Sequence, residues 1–241
     1  VIKPSEKCSS ISKLIKNLTD KYFQKDILIT IEGDYKESIK LVEQNFDHIF
    51  FTGSTETGKS IMKSASKNLT PITLELSGTN PVIIFKNANL KIAAKRIVWG
   101  KFFNSGQSCM APNHIFVEKE IESQLVEELK KFITIFYGKN PIVSKNLSKL
   151  EKKQYSKSSA LLKIFKKEKR ILFGGINSKK RMKISPTIFK VKLEEEDIIQ
   201  KELFSSLLPV IRIENKDSAL KLINQTSKPL AIYIFGGNKK I

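Results

Sequence analysis

Ile49-Phe50-Phe51-Thr52-Gly53-Ser54-Thr55-Glu56-Thr57-Gly58 decides how the chain is read. Ile49–Phe51 is a short apolar strand. Thr52–Gly58 is polar and carries two glycines, and it leads into a helical pattern that runs to about Asn68. In that pattern Ile61, Ala65 and Leu69 recur at i, i+4 and i+8, a single apolar stripe. A strand, glycine turn and helix in this order present backbone N–H groups and the positive end of a helix dipole at the turn. Gly53 permits close backbone approach, and Ser54 is a natural N-cap. The spacing is not the GxGxxG of ordinary dinucleotide-binding units. Taken alone, the stretch fits an anion site or an ordinary tight turn.

Working outward, strand and helix patterns alternate, which predicts an α/β fold. Upstream, Ile27–Ile31 reads as a short strand and Ser38–Asn45 as a helix with Ile39 and Val42 on one face. Downstream, Pro71 closes the helical region, and Ile72–Leu76 and Pro81–Phe85 are extended. Leu90–Phe103 is predicted helical with Leu90, Ala94 and Ile97 inward, and Ile115–Val117 is a strand. Glu120–Tyr137 is an amphipathic helix with Leu125, Leu129, Phe132 and Phe136 on its apolar face. Ser144–Ser159 is polar and poorly patterned. Strands recur at Arg170–Phe173, Leu207–Ile213 and Leu230–Phe235, with a helix at Asp217–Asn224.

Bulk composition narrows the function classes. The 241 residues are 40% hydrophobic and 28% charged, a globular balance. The apolar runs are too short to span a bilayer. Two cysteines cannot build a disulfide framework, and with two scattered histidines they offer no zinc-ligand spacing. A reducing, intracellular (cytoplasmic) setting is the expectation. The net charge of +19 is unusual. Its lysines are spread along the chain, and clusters such as Lys166-Lys167-Glu168-Lys169-Arg170 and Lys179-Lys180-Arg181 lack interleaved aromatics for base stacking. A solvated surface is therefore expected, and no nucleic-acid partner.

The most informative stretch is Asn104-Ser105-Gly106-Gln107-Ser108-Cys109-Met110-Ala111-Pro112. A lone cysteine is ordinarily a small buried hydrophobe. This one lies in a polar segment rich in Gly and Ser, between a helix and a strand, where a thiol is open to a substrate. Cys8 has no such surroundings and is read as structural.

Together these segments resemble the aldehyde dehydrogenase superfamily. Phe51–Gly58 is similar to its FTGS-x-x-x-G nucleotide-binding segment, and Lys3-Pro4-Ser5-Glu6 to its KPSE segment. Asn104–Cys109 is similar to its N-x-GQ-x-C signature, and Leu74-Glu75-Leu76-Ser77-Gly78 to its LELGG. The likeness is greatest to the class 3, fatty-aldehyde-type branch and runs through the whole chain, weakening over Asn140–Lys183. It implies an aldehyde dehydrogenase-like fold. Residues 1–74 would form part of a Rossmann-type NAD(P)-binding domain, and residues 75–241 an α/β catalytic domain, incomplete at its C-terminal end.

The resemblance also implies roles. Cys109 would attack the aldehyde carbon, passing through a thiohemiacetal and a thioester, and Glu75 would activate the hydrolytic water. A Glu between Leu74 and Leu76 is expected to be partly desolvated, with a raised pKa. Lys3, Ser5, Glu6, Gly53, Ser54 and Gly58 would bind the adenosine side of NAD or NADP. Glu202 and Phe204, in Lys201-Glu202-Leu203-Phe204, match the family's E-x-F-G-P and would serve the nicotinamide side. The partners implied are a small-molecule aldehyde and, in the full-length enzyme, a second copy in a homo-oligomer (dimer).

Departures from the family bear on whether the chain turns over. Ser77 and Thr79 stand where LELGGK has a Gly and the Lys, and Ser77 is expected to crowd the nicotinamide. Ser205-Ser206 replaces Gly-Pro and is expected to loosen the loop after Phe204. The family's chains are also longer. An oxyanion-hole Asn would precede Val1, and a tunnel wall, an oligomerisation strand and, in class 3, often a membrane tail would follow Ile241. Two readings therefore stand: a fragment of an active dehydrogenase, or a truncated non-catalytic relative that retains the fold and binds nucleotide or a subunit.

Overall fold

The computed structural model describes residues 1–226 and 228–237 and divides into two compact units, Val1–Leu76 and Ser77–Ile241. The first unit contains helix α1 (Ser9–Tyr22), helix α2 (Tyr35–Val42), strand β1 (Ile49–Gly53), helix α3 (Thr55–Ala65) and strand β2 (Ile72–Leu76). β1 and β2 pair in parallel with Ile49 opposite Ile72 and Thr52 opposite Glu75. The strand–turn–helix expectation at residue 49 is thus met, and Ser54 caps α3 by accepting from the Thr57 N–H at 3.2 Å.

Three details differ from expectation. Ile27–Ile31 is not a strand: its pairing is an isolated parallel bridge of Thr30 to Ile2, made by the Ile2 N–H on the Ile29 carbonyl and the Ile31 N–H on the Ile2 carbonyl. α2 begins and ends earlier than expected, because Asp34 and Glu37 form a reciprocal capping box that fixes its start. Leu69 leaves the α3 stripe. The chain turns left-handed there (φ 55°), which swings the side chain into solvent, where it is 87% exposed.

The second unit is built on a six-stranded sheet. Its elements in chain order are β3 (Pro81–Ile84), α4 (Leu90–Phe102), β4 (His114–Glu118), α5 (Glu122–Tyr137) and α6 (Lys152–Lys167). They continue with β5 (Ile171–Phe173), the short β6 (Asn177–Ser178) and β7 (Lys183–Ile184), and β8 (Thr187–Val191). α7 (Glu196–Ile199), β9 (Leu207–Ile213), α8 (Lys216–Gln225) and β10 (Tyr233–Phe235) complete it. The sheet order is β10-β3-β4-β9-β8-β5, parallel throughout except for β5, which runs antiparallel to β8. β6 and β7 form a separate antiparallel pair.

The inner strands read as continuous apolar runs because both faces are covered. On one face Val82, Ile84, Ile115, Val117 and Val210 pack with Ala94, Ile97 and Val98 of α4 and Leu125, Leu129 and Ile133 of α5. On the other, Ile83, Phe116, Phe189 and Ile211 pack with Leu162 and Phe165 of α6 and Leu222 of α8. The alternation Val82–Ile83–Ile84 sends successive side chains to opposite cores. Parallel strands of this kind carry their functional groups at the loops beyond strand ends.

Candidate active site

In the first unit, the segment Val1–Lys7, α2 and the β1–α3 turn line a cavity of about 660 Å³. Of the residues expected to bind the adenosine side, Lys3, Ser5, Glu6, Gly53 and Ser54 all line it. Gly58 does not: it is buried, and a Cβ there would come within 2.6 Å of the Leu76 side chain, so its bareness lets α3 lie close on β2. Gly53 lies under the Phe51 ring, 2.4 Å from where a Cβ would stand.

Lys3 has little exposure. Its ammonium donates to the Pro4 carbonyl at 3.0 Å and to Glu6 Oε2 at 3.4 Å. The Glu6 carboxyl is held below its ordinary range by its own backbone N–H, with Lys3 and Lys7 adding to the effect. The Ser5 hydroxyl accepts from the Lys7 N–H, and its carbonyl accepts from the Ser12 hydroxyl at 2.9 Å, which moors the segment to α1. The cavity thus combines a cation, a fixed carboxylate and a capped helix start. That set suits a ribose diol with a phosphate nearby.

Glu75, on β2, is exposed, so the desolvation expected from its leucine neighbours is absent. The strand pleat explains this: Leu74 and Leu76 share one face and Glu75 takes the other.

In the second unit, the thiol segment follows α4. Asn104 (φ 48°, ψ 32°), Ser105 (φ 58°, ψ 29°) and Gly106 (φ 77°) are left-handed in succession. Two non-glycine residues in that region cost on the order of 1–2 kcal/mol each. Side chains offset the cost. The Ser105 hydroxyl donates to the Ser148 carbonyl at 2.7 Å. The Gln107 amide donates to the Asn104 and Lys149 carbonyls at 3.0 and 2.9 Å and accepts from the Glu151 N–H at 2.9 Å. Gly106 is required because a Cβ would stand 2.2 Å from the Ser205 carbonyl oxygen.

Cys109 is half-buried in a tight turn closed by the Ala111 N–H donating to the Ser108 carbonyl at 3.1 Å. Asn80 holds this turn. Its Nδ2 donates to the Cys109 and Ala111 carbonyls at 2.7 and 3.1 Å, while its Oδ1 accepts from the Ala231 N–H. The Tyr233 hydroxyl donates to the Met110 carbonyl at 2.5 Å, and burial together with the Cys109 charge pushes its pKa up. Neither Asn80 nor Tyr233 was marked by the sequence reading. Cys8, read as structural, is exposed at the start of α1.

Glu202 is half-buried, and burial raises its pKa. The Gly78 N–H, the Lys101 charge and the Ser77 hydroxyl act in the opposite direction. Ser77 therefore serves as a donor to this carboxylate. The backbone on either side of Glu202 is held by Asn113, which donates to the Lys201 carbonyl at 3.0 Å and accepts from the Leu203 N–H at 2.9 Å. Phe204 adopts a left-handed conformation with φ 41°.

Ser205 and Ser206 are fully buried, and Ser206 donates to the Ser105 carbonyl at 3.3 Å. The loosening expected of this loop is not seen: packing replaces the constraint a proline would supply. Among the described residues, no group of three or more His, Cys, Asp or Glu is placed to hold a metal ion. No helix among them is long and apolar enough to cross a membrane.

Comparison with known proteins fits this geometry. The aldehyde dehydrogenase family matches residues 1–241. Aldehyde dehydrogenase family 3 member A2 of Pongo abelii is 37% identical over 241 residues, covering 100% of this chain and 49% of that protein. The mouse (Mus musculus) enzyme named aldehyde dehydrogenase, dimeric NADP-preferring, is 37% identical over 242 residues, with 100% and 52% covered. The chain thus spans about half the length of the curated relatives it matches. Staphylococcus aureus AldH, solved in a substrate-bound state, superposes with a TM-score of 0.94 at 35% identity, over 99% of this chain and 52% of that one. The structure of PnpE in complex with nicotinamide adenine dinucleotide superposes with a TM-score of 0.83 at 26% identity, over 99% and 51%. On motifs, fold and whole-chain similarity alike, the chain belongs to the aldehyde dehydrogenase family.

Proposed function

We propose that this chain carries the thiol and part of the coenzyme site of an NAD(P)-dependent aldehyde dehydrogenase, which oxidises an aldehyde to a carboxylic acid. The observation that supports this best is the Cys109 turn. A half-buried thiol stands in a strained loop that Gln107, Asn80 and Ser105 hold in place. Strain retained by surrounding hydrogen bonds is characteristic of reacting groups.

In this reading the Cys109 thiolate adds to the carbonyl carbon, forming a C–S bond and moving the carbonyl electron pair onto oxygen. The Cys109 backbone N–H donates to that oxyanion. When bound, NAD(P)+ supplies the two-electron acceptor for converting the thiohemiacetal to a thioester. Glu75 takes a proton from water, whose oxygen adds to the thioester carbon and expels the Cys109 thiolate.

Lys3, Ser5, Glu6, Gly53 and Ser54 would hold the adenosine side of the coenzyme, with Gly58 keeping α3 close to the sheet. Glu202 and Phe204 would serve its nicotinamide side. Residues 1–74 are assigned to the coenzyme domain and 75–241 to the catalytic domain, two residues short of the division between the compact units, which keeps the whole of β2 with the first. Both NAD and NADP are compatible with this site. A fatty aldehyde is proposed on the class 3 resemblance, a dimeric assembly on the likeness to the dimeric NADP-preferring enzyme, and a reducing, intracellular setting on the two cysteines, which offer no disulfide framework.

The competing reading, a non-catalytic relative, draws on the partial length, Ser77, Thr79 and Ser205-Ser206. The packing of Ser205 and Ser206 weighs against a loosened loop, while the buried Thr79 and Ser205 hydroxyls have no partner among the described residues. The test is aldehyde-dependent NAD(P)H formation by the protein carrying this chain, beside Cys109→Ser. Turnover is expected only with the thiol present. Undiminished turnover in the serine variant would overturn the assignment.

A further inference from the structure

Tyr233 sits on β10 opposite Val82 of β3, and its ring packs against the core on one face of the sheet. Asn80 immediately precedes β3, so the two side chains that grip the thiol turn leave from one strand pair. Between them they bind three carbonyls in succession. Asn80 donates to Cys109 and Ala111, and Tyr233 donates to Met110 at 2.5 Å. Asn80 is 1% exposed and is itself held by the Ala231 N–H at 2.9 Å, so it anchors the turn at both ends. Tyr233 holds the peptide plane that follows Met110.

A trans peptide points its C=O and its N–H in opposite directions, and among the described residues no peptide bond is cis. Holding the Met110 carbonyl therefore aims the Ala111 N–H, which donates to the Ser108 carbonyl at 3.1 Å. The Ser108 carbonyl belongs to the peptide unit that carries the Cys109 N–H. Because that carbonyl is drawn into the turn, the N–H faces outward. Two peptide units in series thus run from the phenol to the Cys109 N–H. Hydrogen bonds in such a chain polarise one another. Burial, with the Cys109 charge adding to it, raises the Tyr233 pKa, which keeps the phenol a donor.

We propose that Tyr233 is a positioning residue that orients and polarises the Cys109 backbone N–H, through the Met110–Ala111 and Ser108–Cys109 peptide units, as the donor to the oxyanion formed on aldehyde addition. The proposal rests on the reading of Cys109 as the nucleophile. Asn80 places the thiol, and Tyr233 aims the N–H beside it.

The test uses the whole protein that carries this chain, enriched with nitrogen-15 at cysteine. The Cys109 and Cys8 amide resonances are assigned by their loss in Cys109→Ser and Cys8→Ser. Tyr233→Phe removes the hydroxyl and keeps the ring. It should move the Cys109 amide proton upfield, as a less polarised donor, and leave that of Cys8 in place. With aldehyde and NAD(P)+, kcat should fall about threefold to tenfold at unchanged KM, short of the roughly hundredfold that outright loss of an oxyanion donor costs. Labelling of Cys109 by iodoacetamide is a displacement that forms no oxyanion, so its rate should hold. An unmoved Cys109 resonance would overturn the proposal. Equal slowing of labelling and turnover would also overturn it, since the thiol itself would then have shifted. A ring-fluorinated tyrosine at position 233 is a stronger donor and should move the resonance downfield, which decides the matter if Tyr233→Phe does not fold. If Cys109→Ser still turns over aldehyde while the Cys109 resonance responds to Tyr233, the nucleophile reading fails and the relay stands.

Discussion

Gly106 lies so close to Ser205 that a Cβ would meet the Ser205 carbonyl oxygen at 2.2 Å. The thiol loop and the segment after Glu202 are therefore set against each other by one missing side chain. Gly106→Ala must overcome both this contact and a φ of 77°. The expected cost is at least about 2 kcal/mol. A thermal melt should fall by about 4 °C or more, and an unchanged melting temperature would show that the loop yields freely.

Thiol labelling separates the two cysteines by mechanism rather than by access. Cys8 is the more exposed and Cys109 is half-buried, so accessibility alone predicts faster labelling of Cys8. A reactive Cys109 predicts the reverse. Peptide mapping after brief iodoacetamide treatment should find Cys109 modified first, and preferential labelling of Cys8 would count against the nucleophile assignment.

Gln107 joins the thiol loop to the start of α6 through the Lys149 carbonyl and the Glu151 N–H. Gln107→Ala leaves these groups without their partner, at a cost of about 1–3 kcal/mol. The same variant should slow Cys109 labelling, since the left-handed turn before it loses its brace. Gln107→Glu should fall between, because a carboxylate keeps the acceptor and loses the donor. Urea melts and labelling rates on the same samples check both effects.

Two buried bases set the pH dependence of stability. His114 titrates near 3 when folded, because burial and the Lys101 charge disfavour its cation, against about 6.5 in the open chain. Between those values the unfolded chain binds the proton and the native one does not, so stability falls with acidification. Lys101 repeats the pattern higher, at about 7 folded against 10.5 unfolded. Stability should therefore rise with pH through both windows, each contributing up to about 1.4 kcal/mol per unit. His114→Phe should flatten the acid window, and Lys101→Met the alkaline one, in denaturant titrations across pH.

Elements with a local signal are legible in the sequence, and those that depend on distant partners are not. β1, α3, β3, α4, α5 and β9 follow from short periodic patterns. α6 is masked in the sequence because Lys and Ser fill its outer face, although Tyr155, Ser158, Leu162 and Phe165 form a buried stripe. α1 has Ile11, Leu14 and Leu18 at helical spacing, yet all three are exposed, so its pattern has no core behind it in this chain. Cys109, Glu202 and the cavity residues were accessible through motifs. Asn80, Asn113 and Tyr233 were not, because an amide that grips a remote carbonyl leaves no mark in its own neighbourhood. Lys101 is intermediate: it stands four residues after the inward Ile97, so helical spacing alone sends it to the core.

The burial of Lys101 also bears on durability. Replacing a buried ion by a hydrocarbon of similar size often strengthens a fold. Selection for heat tolerance alone should thus reach position 101 early, favour Met or Leu there, and return proteins that melt later. Recovery of lysine at position 101 from a randomised library would then report a pressure other than heat tolerance.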